Sequence, residues 1–317
     1  MTMKTAQQLG RIAVLYGGNS GEREVSLRSG KAVFDALIRQ GVNAELIDTK
    51  ETEVLSLKAA GYSRAFNMVH GRGGEDGQLQ GALESIGMPY TGSGILGSAI
   101  GMDKRRSKMI WQAAGLPTIE GKVVVEGESL TIESAQSVLN ELGNKVMVKP
   151  AQEGSSLGMA IVEKVDELLE AVEKAKAYPG DVLIERYISG NEYTASVLNG
   201  EALPVVRIQP AREFYDYTAK YTESGTQYFC PAGLSDEDEK FMRAMALKAF
   251  AMLGCSGWGR VDFIHDSQRD QFLLLEANTV PGMTESSLVP MAAKAAGLSF
   301  DELVMSIISA LEGTAHG

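Results

Sequence analysis

Cysteine is scarce in this sequence. Cys230 and Cys255 are the two present; they lie far apart and neither belongs to a CxxC. That excludes a disulfide framework and a cysteine-based zinc site, and leaves free thiols in a reducing cytoplasm as the expectation. Histidine is limited to His70, His265 and His316. His316 falls in the terminal tail and His265 precedes an expected turn, so neither carries a functional reading. No apolar run approaches the length of a membrane span. The run IAVLYGG at 12–18 is short and ends in glycine, so it reads as a first strand and not as a signal peptide. A basic excess is also missing. The net charge of −11 argues against nucleic acid or an anionic membrane as partner, while leaving room for a local nucleotide nest. There is no GxGxxG fingerprint, no Walker A spacing, no internal repeat and no low-complexity tract.

What is present is an ordinary globular balance, 44% hydrophobic and 22% charged, in 317 residues. That length holds two or three domains with sizeable cores. The expected fold class is α/β, turning to α+β in the C-terminal part, with an open parallel sheet at the N-terminus. RIAVLYGG, NAELID and AFNMVHG read as strands. Between the first two, SGEREVSLRSGKAVFDALIRQG has helical spacing with Val25, Val33, Leu37 and Ile38 apolar and Gly41 as a stop. In such a sheet ligands sit beyond the carboxyl ends of the strands, where Gly17, Gly18 and His70 would lie. The chain divides at about Gly92 and again near Ile188, giving units at 1–92, 93–187 and 188–317. In the second, GMDKRRSKMIWQAAGLP at 101–117 reads as one helix. In the third, a helix at 235–254 is expected to bury Phe241, Met245, Ala249 and Leu253. A final helix opens with Ser299 and Glu302 in a capping box and buries Leu303, Ile307 and Leu311.

Three stretches carry chemistry. GRVDF at 259–263 and LLLEANTVPG at 273–282 form an expected strand pair. Residues two apart share a face, so Glu276 and Asn278 point together and Asp262 joins them from the paired strand. Two carboxylates and an amide are hard oxygen ligands suited to Mg²⁺, and Arg260 shares their face. The other reading, an acidic strand pair facing solvent, conflicts with the leucines that precede Glu276. The second stretch is VMVKPAQEGSSLGM at 146–159, in which an apolar run stops at Lys149 and a loop of small residues follows. It is either a plain hairpin or a phosphate lid with a backbone anion nest. The third is FYDYTAKY at 214–221, with Tyr215, Tyr217, Lys220 and Tyr221. It is either aromatic loop packing or a closing loop that excludes water. Glu22 reads as a carboxylate at a helix N-terminus or a ligand for an ammonium. His70 reads as a satisfied structural group or part of a ligand-edge loop.

Taken in order, GGNSGEREVS, HGRGGEDG, PYTGSG, MDKRRSK, VKPAQEGSSLGM, GRVDF, LLEANTVPGMTESSLVP and the KY of the aromatic loop resemble the D-alanine–D-alanine ligases of the ATP-grasp superfamily. The resemblance spans almost the whole chain. It implies a three-domain ATP-grasp architecture: an N-terminal substrate domain, a central lid domain and a C-terminal catalytic domain, with ATP between the last two. It implies that Lys104, Lys149 and Lys220 meet ATP, that Glu185 and Ile188 hold the base and that Glu192 holds the ribose. Asp262, Glu276 and Asn278 would hold two Mg²⁺ ions, or Mn²⁺ in their place. Glu22, Ser155, Tyr221, Arg260 and Gly282 would serve catalysis, with Arg260 and the Gly282 N–H at the oxyanion. His70, Ser287 and Leu288 would bind substrate. The implied reaction joins two D-alanines through an acyl phosphate, for peptidoglycan precursors, in a cytoplasmic homodimer. Val280 and the TESS at 284–287 depart from the family pattern and bear on the second subsite. The nearest alternative is a ligase joining D-alanine to D-lactate. The missing GxGxxG speaks against a nicotinamide oxidoreductase, and the acidic set against a mere nucleotide-binding module.

Overall fold

A short helix, α1 (Ala6–Leu9), leads into β1 (Ile12–Tyr16), whose apolar run is buried along nearly its whole length. The computed structural model describes residues 6–155, 157–209 and 225–311. After β1 come α2 (Arg23–Arg39), β2 (Ala44–Asp48) and β3 (Arg64–Asn67). The strands pair in parallel in the order β2-β1-β3, with Ile12 opposite both Ala44 and Arg64. A strand between two parallel neighbours is covered on both faces, which is why its sequence runs apolar without alternation. Ile38 is about half exposed, against expectation. It lies in the last turn of α2, where Val33, Ala36 and Leu37 fill the contact with β1 and leave it no surface to cover.

Gly17 shows why the turn after β1 needs glycine. Its φ is +76°, and a Cβ there would lie 2.3 Å from Asp48 Oδ1. That carboxylate is gripped by Arg23, with Nη2–Oδ2 at 2.6 Å and Nη1–Oδ1 at 3.0 Å. Arg23, with backbone N–H groups of Lys50 and Gly18, holds the Asp48 carboxyl down at about 2 against burial. A carboxyl lowered in the folded state stabilises above its ordinary value near 3.8 and stops doing so as pH falls through about 2. Asp48→Asn should therefore cost about 1 kcal/mol near neutral pH, after allowance for solvent screening. In denaturation curves the gap between parent and variant should close as pH is lowered below about 4; a constant gap would mean the pair contributes nothing.

The middle of the chain contains α3 (Gln78–Ser85), α4 (Ile95–Met102), α5 (Lys104–Ala113), β4 (Gly121–Val124), α6 (Ile132–Leu142), β5 (Val146–Pro150), β6 (Ala160–Val162), α7 (Val165–Ala175) and β7 (Val182–Arg186). The single helix expected at 101–117 is two. Asp103 is extended and accepts from Arg106 N–H at 2.9 Å, capping a new helix that starts at Lys104. An antiparallel sheet in the order β4-β7-β5-β6 packs one face on α6 and α7.

The last part runs β8 (Glu192–Leu198), β9 (Glu201–Ala202), β10 (Val206–Gln209), β11 (Gln227–Phe229), α8 (Asp236–Met252), β12 (Trp258–Asp266), β13 (Gln271–Asn278), α9 (Leu288–Ala295) and α10 (Phe300–Ser309). A second antiparallel sheet has the order β11-β10-β8-β12-β13, with β9 on β8. In α8 the buried face is Met242, Met245, Ala246, Ala249 and Phe250; Phe241 is half exposed, because it stands at the edge of that face. The capping box of α10 is formed, with Ser299 N–H donating to Glu302 Oε2 at 2.8 Å and Glu302 N–H to Ser299 Oγ at 3.2 Å. One apolar core joins α2, β1 and β3 to α9 and α10, so the first sheet and the last helices form a continuous body. No helix among the described residues is long and apolar enough to cross a membrane.

Candidate active site

The two antiparallel sheets line one cleft of about 940 Å³. Strand alternation delivers its charges. Val146 and Val148 of β5 pack on the helices, so Met147 and Lys149 face the cleft. Val182 and Ile184 of β7 do the same, which turns Glu185 into the cleft. On β12, Val261 and Phe263 enter the core while Arg260, Asp262 and Ile264 face out.

β13 departs from simple alternation. Leu274 pairs with Phe263 and Glu276 with Asp262, so Leu275 is an extra residue in the ladder. The bulge puts both Leu275 and Glu276 on the cleft side. Without it Glu276 would share the face of Leu274, which is fully buried. Asp262, Glu276 and Asn278 thus share one face, as their spacing predicts. Arg260 binds Asp262 through two 2.7 Å hydrogen bonds, and Lys104 Nζ lies 3.0 Å from Glu276 Oε2. Burial lowers the Lys104 pKa, but Glu276, with Glu22 and Glu153 behind it, more than offsets this and raises it. Asn278 Oδ1 accepts from Val280 N–H at 3.1 Å.

At the floor of the cleft, Glu185 lies between two buried lysines, Lys108 on its Oε1 and Lys149 on its Oε2. Burial alone would raise the Glu185 carboxyl; the two ammonium groups lower it instead. Burial also pushes the Lys108 ammonium down to about 8, against the attraction of Glu185 and with help from the nearby charge of Lys149. One carboxylate and two ammonium groups leave a net positive charge at the cleft wall, with Lys149 and Glu185 lining the cleft and Lys108 behind them.

The loop after β5 reaches the first sheet. Ser155 Oγ donates to Glu22 Oε1, and a Cβ at Gly154 would lie 2.7 Å from Glu22 Oε2, so a side chain there would push that carboxylate aside. Lys104 Nζ donates to the Glu153 carbonyl at 2.6 Å. The small residues of this loop therefore permit close approach between units.

His70 is buried. Its Nδ1 is 2.7 Å from the Val280 carbonyl oxygen and its Nε2 is 3.3 Å from Ser29 Oγ, which also accepts from Met283 N–H at 3.1 Å. It clamps the 280–283 segment to the first unit while lining the cleft. Ser287 precedes α9, and its Oγ accepts from Thr284 N–H at 3.0 Å. Gly282, Ser287 and Leu288 line the cleft together, at the positive end of that helix.

Glu22, His70, Lys104, Lys149, Ser155, Glu185, Ile188, Glu192, Arg260, Asp262, Glu276, Asn278, Gly282, Ser287 and Leu288 all line this cleft. Lys220 and Tyr221, with the rest of the aromatic stretch at 210–224, lie outside the described residues. Sequence reasoning missed Lys108. Its signal is the spacing from Lys104, one helical turn, which sets both on one face of α5.

Paired antiparallel sheets that enclose one cleft, with Lys149 and Glu185 on the first and Asp262, Glu276 and Asn278 on the second, define an enzyme of the ATP-grasp class. A family profile described as D-ala D-ala ligase C-terminus matches residues 110–309. A D-alanine–D-alanine ligase of Pseudoalteromonas atlantica is 52% identical over 95% of this chain and 94% of its own. One from Acinetobacter baylyi is 52% identical over 99% of this chain and 100% of its own. The crystal structure of D-alanine–D-alanine ligase from Bacillus anthracis complexed with ATP superposes with a TM-score of 0.82 at 34% identity, covering 95% of this chain and 97% of that one. The chain belongs to the D-alanine–D-alanine ligase family.

Proposed function

We propose that this chain joins two D-alanine molecules to D-alanyl-D-alanine with consumption of ATP, supplying peptidoglycan precursors in the cytoplasm. The observation that carries the reading is the shared cleft: Lys104 and Lys149, with Glu185, beside the hard oxygen face of Asp262, Glu276 and Asn278. Phosphoryl transfer asks the protein for positioning and charge neutralisation rather than for a nucleophile of its own. The carboxylate of the first D-alanine attacks the γ-phosphorus, and ADP leaves. The amine of the second then attacks the acyl carbon of the acyl phosphate after losing a proton, and phosphate departs.

In this assignment Lys104 and Lys149 hold phosphates, Glu185 and Ile188 the base, and Glu192 the ribose. Glu22 orients the ammonium of the first D-alanine and Ser155 ties the loop to it. Arg260 and the Gly282 N–H stabilise the oxyanion. Ser287 and the backbone of Leu288 receive the second carboxylate. The oxygen face fits Mg²⁺, which when bound with ATP would neutralise charge on the transferring phosphoryl group. Asp262 and Glu276 are balanced by Arg260 and Lys104 beforehand. Extra negative charge from phosphates is then needed before a dication is favourable. The three sheets are read as the cores of three domains.

The direct test is ADP and phosphate release with D-alanine, ATP and Mg²⁺, with D-lactate as a competing second substrate. Absence of D-alanine-dependent release would sink the reading. The contact of Ser155 with Glu22 also predicts a lid. Protease nicking in the loop at 151–158 should fall severalfold when ATP and Mg²⁺ are added. Equal nicking with and without nucleotide would return this loop to a plain hairpin.

A further inference from the structure

Lys108 is the buried charge that the mechanism does not use. It stands behind the cleft wall, while its partner Glu185 lines the cleft and is itself only 2% exposed. The two oxygens of Glu185 are unequal. Oε1 accepts a hydrogen bond from Lys108 Nζ. Oε2 lies against the ammonium of Lys149, the group assigned above to phosphate, so it becomes open to another donor once that ammonium turns to a phosphate. Beside it Ile119, Ile188, Ile264, Leu273 and Leu275 form a small apolar cluster, and most of them line the cleft. An apolar slot with one charged acceptor at its edge suits a flat heterocycle carrying an N–H donor.

We infer that Lys108 is a specificity-determining positioning residue: by holding Glu185 ionised and anchored through Oε1, it reserves Oε2 as an acceptor for the amino group of a nucleobase. The inference rests on the nucleotide-cleft reading above. A phosphate group arriving at Lys149 draws that ammonium away from Oε2. Lys108 then remains as the counter-charge that keeps Glu185 a carboxylate in a buried place. An ionised carboxylate only accepts hydrogen bonds, whereas a protonated one also donates. The ionised form therefore welcomes the amino group of adenine and opposes the carbonyl oxygen of guanine. Removing Lys108 lets burial protonate Glu185, and the carboxyl can then satisfy either base. Lys108 acts through Glu185 and is not itself a contact of the base.

The test measures dissociation constants for ADP and GDP without metal, by calorimetry, on the full chain. The proteins are the parent, Lys108→Met, Glu185→Gln and the double variant. The parent should prefer ADP by about a hundredfold or more, since a site built around a hydrogen-bonding group rejects the mismatched analogue strongly. Lys108→Met should lower that preference at least about tenfold, and mostly by tighter GDP binding. Glu185→Gln and the double variant should show the same preference within about twofold, because Lys108 has nothing left to act through. The inference is overturned if Lys108→Met keeps the parental preference. It is equally overturned if adding Lys108→Met to Glu185→Gln lowers the preference as much as it does alone. Should Lys108→Met fail to fold, Lys108→Gln, which keeps a donor beside Oε1 but removes the counter-charge, is measured in its place and should lower the preference in the same way; an unchanged preference there overturns the inference. A parent that binds no ADP would count against the nucleotide reading itself; a parent that prefers ADP with an unmoved ratio in the variants counts against Lys108 alone.

Discussion

Glu276→Gln should keep the fold and lower kcat by about a hundredfold to a thousandfold, the range seen when a single group that stabilises developing charge is removed. The substitution is isosteric and the side chain is 27% exposed, so packing changes little. What changes is charge. Glu276 faces Lys104 directly and shares its face with Asp262 across the β12–β13 pair, so it is central to the oxygen set. Lys104 keeps its bond to the Glu153 carbonyl and does not collapse into the cleft. ADP affinity measured without metal should change far less than kcat. Steady-state ADP release, a thermal melt and metal-free ADP binding together check the prediction. A folded variant with near-parental kcat would remove Glu276 from the proposed metal site.

Lys149→Met should separate affinity from stability in the opposite way. In the buried group of Lys108, Glu185 and Lys149, two cations share one anion. An unbalanced buried charge costs folding energy, so removing Lys149 relieves it and leaves a matched pair. The variant should be as stable as the parent, or more stable by about 1 kcal/mol. A charged hydrogen bond to phosphate is worth about 1.5–3 kcal/mol, so ADP should bind roughly ten to a hundred times more weakly. A lysine kept for structure would show the reverse, lower stability with unchanged binding. Denaturant titration and calorimetry on the same preparation distinguish the two.

Much of this site is legible locally. In VMVKP the period of two sets Lys149 opposite the two valines that enter the core, and the same period aligns Glu276 with Asn278. Ser299 and Glu302 announce their helix because a capping box is closed within four residues. Such features depend on backbone geometry and near neighbours, and these are written into adjacent residues. Other features depend on which surfaces meet. Asp103 divides an apparently continuous helix because its side chain caps the next turn. Phe241 fits a helical stripe yet stands half exposed, at the edge of the face that α8 buries through Met242, Met245 and Ala249. The bulge at Leu275 puts Glu276 on the cleft side of a strand whose earlier alternation would have sent it into the core. Lys108 and Glu185 lie 77 residues apart, and Ser155 and Glu22 are separated by 133. Their pairing arises when α5 settles against the central sheet and the loop after β5 reaches the N-terminus of α2. A charge in the sequence announces that it needs a partner; burial of apolar faces elsewhere in the chain chooses which partner it meets, because packing distance is independent of separation along the chain.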